Sequence, residues 1–160
     1  MGASAPFLKG KNMSNTKPIG VAFTDQDIIG SQYVLSGEQL GYTTDAQGTV
    51  TQATSKSTAV TLNKSAGQIT MNNASLATVT NVTFTLNNSF ISSNDILILN
   101  VGSGATAGAY NCWVSGLSAG AATITLRNIS AGPLSEAVVI NFALIPVSYT
   151  HLTLPTNREV

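Results

Sequence analysis

Between Gly48 and Ile145 the chain repeatedly alternates apolar and polar residues, and no other feature constrains its fold as tightly. "NVTFTLNN" sets Val82, Phe84 and Leu86 against Thr83 and Thr85. "AATITLRN" lines up Ile124 with Leu126, and "EAVVINFALI" lines up Val138, Ile140, Phe142 and Leu144. A strand turns successive side chains to opposite faces, so this period makes one face apolar; on a helix the same residues would scatter around the axis. The β-branched content points the same way. "GTVTQATSKSTAVTLN" and "GQITMN" carry the alternation earlier, and "AYNCWVSG" follows. "DILILNV" is apolar on both faces, which reads as an inner strand covered twice. The separators "NNSFISSND", "GSGATAG", "GLSAG" and "ISAGPLS" are turn chemistry. No ten-residue window carries a helical stripe, although "NASLAT" has room for one helical turn. The expectation is an all-β fold, an antiparallel β-sandwich or jelly roll of about eight strands over residues 48–145.

Charge narrows the function. Only 9% of residues are charged, with seven acidic and seven basic, against about 25% in an average domain. No net field steers nucleic acid or an anionic membrane toward such a chain, so neither is expected as a partner. No segment approaches the ~20 apolar residues that span a bilayer. A surface with few charges loses little on desolvation and suits packing against other protein. Cys112 is the only cysteine, so no disulfide within the chain is available; beside Trp113 it reads as a small buried hydrophobe. The first residues lack a basic stretch followed by an apolar run, so no secretory leader is expected. The Asn-x-Ser/Thr sites, among them Asn63, Asn73, Asn81, Asn87 and Asn128, then read as by-products of an Asn/Ser/Thr-rich composition.

The residues before Gly48 are less regular. Residues 1–12 read as an N-terminal extension, with translation starting at Met13, because Lys-Gly-Lys codons can hold a purine-rich ribosome-binding site. Residues 13–47 read as an arm for attachment, with short strands in "IGVAF" and "SQYVLSG" and a turn and linker in "GYTTDAQG".

Motifs that carry chemistry are few. "GSGATAG", Gly102 to Gly108, looks like a phosphate loop, but "AYNCWV" after it reads as a strand rather than the helix such a loop needs. "DQDIIG", Asp25 to Gly30, matches half a calcium loop, but the twelfth position is Ser36 instead of a bidentate Glu. The only histidine is His151, in the final segment, so a Ser-His-Asp or Cys-His arrangement or a zinc site lacks its parts. The acids Asp25, Asp27, Glu38, Asp45, Asp95 and Glu136 do not form an evident pair. No enzyme activity, metal or cofactor is expected. Tyr110 and Trp113 are the residues to consider for stacking on a sugar. Three positions apart on a strand they point to opposite faces, so they do not make one platform, and the structural reading expects Trp113 largely buried.

The strings "TQATSKST", "GQITM" and "RNISAGPLSEAVVINFA" carry a likeness: residues 48–145 resemble a small β-domain met repeatedly in structural proteins of tailed bacteriophages. The resemblance implies a virion component, decorating the head, forming a head fibre or belonging to a tail fibre. It implies other capsid or tail proteins as partners and, by analogy with fibres, self-association as a trimer. The ending "VSYTHLTLPTNREV" resembles something else. "VSYTHLTLPT" is what GTC-TCT-TAT-ACA-CAT-CTG-ACG-CTG-CCG-ACG encodes, the end of a transposase adapter used in sequencing libraries. Residues 146–160 are therefore expected to be adapter read-through without structure, from community DNA, and His151 with them.

Overall fold

The protein is described by a computed structural model over residues 41–147. Residues 13–40 of the arm expected over 13–47, the extension over 1–12, the Asp25–Gly30 loop and the adapter-like residues from 148 onward lie outside the described residues. The described part is all-β. Eight strands follow a short 3-10 turn at Thr44–Ala46. They are β1 (Gln47–Thr51), β2 (Val60–Thr61), β3 (Ala66–Thr70), β4 (Asn81–Asn87), β5 (Ile96–Ser103), β6 (Tyr110–Ser118), β7 (Ala121–Asn128) and β8 (Val139–Ile145). They form two four-stranded sheets, β1-β3-β8-β5 and β2-β4-β7-β6. Only β6 and β7 are both consecutive and adjacent; every other connection crosses from one sheet to the other.

The sheets are mixed rather than wholly antiparallel. β1 runs parallel to β3 and β2 parallel to β4, while the remaining ladders are antiparallel. The crossing connections cause this: a strand that leaves one sheet, crosses the other and returns comes back in its original direction. The alternation in "GTVTQATSKSTAVTLN" is not one strand either. It is cut between β1 and β2 by a loop at residues 52–59. "NASLAT" makes no helical turn; Leu76 instead bridges Leu134 in an antiparallel contact.

The inward rows are those the period marks. Val138, Ile140, Phe142 and Leu144 from β8 and its approach meet Phe84, Leu86, Ile124 and Leu126, with Ile69 and Met71 beside them, all buried. Each such side chain contributes about 1.5–3 kcal/mol of burial. "DILILNV" departs from expectation. β5 is an edge strand, with Leu97 inward and Ile96 and Ile98 on an open outer face, 54% and 50% exposed.

Two glycines in the connection between β5 and β6 show what the loop demands. Gly104 and Gly108 both have positive φ, +66° and +72°, but a Cβ on Gly104 would run into the Ala137 carbonyl oxygen, whereas one on Gly108 meets open space. Gly108→Ala is expected to cost about 1 kcal/mol of left-handed backbone strain, and Gly104→Ala at least twice that, because backbone must also move. Urea midpoints of the two variants check the order.

Candidate functional site

The β6 strand separates the two aromatic candidates as strand parity requires. Cys112 and Val114 lie opposite Leu126 and Ile124, which fixes the inner face. Tyr110 shares that face and packs against the core. Trp113 points outward, opposite Thr125, and is 36% exposed, so the expectation of a largely buried Trp113 is corrected. The reason is register: β6 must turn Cys112 and Val114 inward to continue the apolar row of β7, and Trp113 between them has only the outside. Its neighbours there are polar. Thr125 is buried and shares its hydroxyl with Thr83 at 2.9 Å and with Ser115. No second ring stands beside Trp113 on this face of β6, whose other outward residues are Asn111, Ser115, Gly116 and Ser118.

Tyr110 sits beneath the Gly102–Gly108 loop, where a depression of about 240 Å³ lies between loop and ring. The strand that follows the loop excludes phosphate binding by a helix end. Burial first, and the nearby Glu136 carboxylate second, push the Tyr110 phenol up to about 12. Its hydroxyl is buried and reaches no hydrogen-bond partner. Tyr110→Phe is therefore expected to leave stability at neutral pH unchanged or raise it by about 1 kcal/mol. The sign with pH follows from the raised value. The unfolded phenol ionises near pH 10 while the folded one keeps its proton, so the wild type loses stability from pH 10 toward 12. That share of the loss disappears in Tyr110→Phe, as urea denaturation at pH 9 and 11 would record.

Two of the three described acids, Asp95 and Glu136, are structural ties. Asp95 accepts from the Ser92 N–H (2.8 Å), the Ser92 hydroxyl (2.7 Å) and the Val147 N–H (2.9 Å); these bonds, led by the Ser92 N–H, hold its carboxyl below the usual range. Glu136 accepts from the Thr106 hydroxyl at 2.5 Å and from its N–H at 3.1 Å, and is held low chiefly by that residue. Asp45 lies in the 3-10 turn. Among the described residues no group of three or more His, Cys, Asp or Glu side chains is placed to hold a metal. Cys112 is free and half-buried, and burial pushes its thiol up, away from the reactive thiolate.

Three polar residues to which the sequence pattern assigns no structural role are deeply placed. Lys56 is 3% exposed and its ammonium donates to the carbonyls of Asn72 (2.6 Å) and Glu136 (2.5 Å). Gln52, beside it, donates to the carbonyls of Lys56 and Thr58 and accepts from the Asn72 N–H. Asn128 ends β7 with its amide fully buried, so a glycan there is incompatible with the fold. Its Asn-x-Ser spacing was the available signal: the Oδ1 accepts from the N–H two residues on, as in an Asx turn. Nothing in "TQATSKST" distinguishes Lys56 from a solvated loop lysine.

A depression of about 550 Å³ lies on the outer face of the first sheet over Ala66 and the backbone of Gly48 and Gly67. Thr44, Gln47, Gln68 and Asn141 surround it, and no charged residue lines it. Beyond it on the same face stand Ile98, Ile96 and Ile145, the last two opposite each other in the ladder and Ile145 45% exposed. No family profile, curated protein or solved structure matches this chain significantly.

Proposed function

We propose that this protein is a non-enzymatic structural component of a tailed-bacteriophage virion, acting as a capsid decoration or head fibre through protein–protein assembly. The observation that carries the reading is the flank of the sandwich formed by β5 and β6. Both are long edge strands, neither contains a charged residue, and Ile96, Ile98 and Trp113 stand exposed along them. Such an edge offers backbone groups and apolar area at little desolvation cost. The phage-like strings in residues 48–145 supply the setting. Mass spectrometry of gradient-banded particles from a lysate encoding this chain is expected to find peptides from residues 48–145 together with capsid peptides. Their recovery only from the soluble fraction would sink the proposal.

A second reading, a module that recognises a host surface glycan, is favoured by the outward Trp113 alone. A ring on a polar sheet face can stack on a sugar, though with one ring the platform is small. On the structural reading a glycan array gives no signal. Binding that Trp113→Ala abolishes in a folded protein would establish the glycan reading instead.

A further inference from the structure

We infer that the protein pairs with a second copy of itself through the open edge of β5, about a two-fold axis at Ile98. This deepens the assembly reading by naming a partner, and rests on that reading only for its setting in a virion.

Backbone geometry leaves the needed groups free. Leu144 donates its N–H to Ser65 (2.8 Å) and Val138 accepts from Met71 (2.9 Å), so even-numbered residues of β8 turn toward β3 and odd-numbered ones toward β5. Ile98 lies opposite Ala143 and Ile96 opposite Ile145, so the even-numbered residues of β5 spend their N–H and C=O groups on β8. Those of Leu97 and Leu99 face the open side, where no strand follows among the described residues.

A second copy satisfies them. From Ile96 to Asn100 the strand is in regular register, with the shift coming only between Val101 and Ser103. Two-fold antiparallel pairing centred on Ile98 sets Leu97 opposite the partner's Leu99 and Ile96 opposite the partner's Asn100. Each Leu97–Leu99 pair exchanges both backbone hydrogen bonds, and inner residues meet inner, outer meet outer. Ile98 then meets the partner's Ile98 on the outer face, covering the half-exposed side chain.

Charge and register favour the second copy as occupant. Identical strands repel when they bring like charges together, but β5 and β6, 8 and 9 residues long, contain none. β5 lies across the sandwich from β6. The stretch that pairs, Ile96–Asn100, is roughly 17 Å long, so the contact is a small one and the dimer a weak one. The bulge in β6 between Val114 and Gly116 spoils that strand for continuous pairing, so β5 leads. The expected assembly is a dimer, not the trimer that fibre analogy implies.

The full chain carrying Cys112→Ser and Ile98→Cys tests the contact. Facing residues of a non-hydrogen-bonded pair have Cα atoms about 4.5 Å apart, within disulfide reach. Mild oxidation is expected to give a covalent dimer, and Thr49→Cys on the opposite edge strand none. Light scattering should give twice the chain's 16.5 kDa for the wild type. Ile98→Lys, which sets two ammonium groups face to face, should raise the dissociation constant at least tenfold with unchanged circular dichroism. A wild-type monomer at about 100 µM, absence of the Ile98→Cys crosslink, or a dimer indifferent to Ile98→Lys would each overturn the inference. A dimer absent from particles would remove the virion reading and leave the dimer; a monomer found on particles would do the reverse.

Discussion

Lys56→Ala is expected to lower stability by about 3 kcal/mol. The ammonium bonds two carbonyls from segments far apart in sequence, at Asn72 and Glu136, and so fastens the 52–59 loop to both. Hydrogen bonds from charged donors contribute about 1.5–3 kcal/mol each, offset in part by the desolvation of the ammonium. Lys56→Met should cost less, because it keeps the volume and buries no charge. The pH dependence separates the two contributions. Desolvation lowers the Lys56 pKa against the raising influence of Glu136. Between that lowered value and the unfolded value near 10.5 the unfolded chain binds more protons, so the lysine's contribution to stability rises with pH through that window and is flat below it. Urea midpoints of wild type and Lys56→Met up to pH 9.5, below the phenol window, are expected to draw further apart as pH rises, the wild type gaining. Parallel curves would mean the ammonium is not buried.

Asn128→Ala is expected to cost about 3 kcal/mol, with a shifted urea midpoint and an unchanged slope. The Asn128 amide donates to the carbonyls of Leu76 and Gly132, both at 2.9 Å, and accepts from the N–H and hydroxyl of Ser130 at 2.9 and 2.7 Å. Removing it leaves buried backbone groups short of partners at about 1–3 kcal/mol each, a large share of the 5–15 kcal/mol that holds an ordinary domain folded. Asn128→Asp should be no better than alanine, since a carboxylate cannot donate to either carbonyl and adds a buried charge. A value near zero for alanine would mean that water replaces the amide.

The outcomes at β4, β7 and β8 show what local pattern conveys. Phe84, Ile124 and Phe142 turn inward because side-chain direction in a strand depends only on parity, which the order of residues states directly. Parity also parted Tyr110 from Trp113. It did not say which of them faces the core, because that was settled by the pairing of β6 with β7, placing Cys112 opposite Leu126. "DILILNV" failed for a related reason: apolar residues on both faces describe what a strand tolerates, not how many neighbours it has. Lys56 and Gln52 were illegible because their partners, Asn72 and Glu136, come from other parts of the chain.

The sequence by itself determined the all-β class, the approximate number of strands and the residues of the core. Each follows from the direction of a side chain relative to its immediate neighbours. Only the tertiary structure decided the order of strands, the parallel pairs at one edge of each sheet, the exposure of Ile96, Ile98 and Trp113, and the burial of Lys56. These depend on hydrogen bonds and packing between segments brought together from distant positions, and no local period encodes which segments meet.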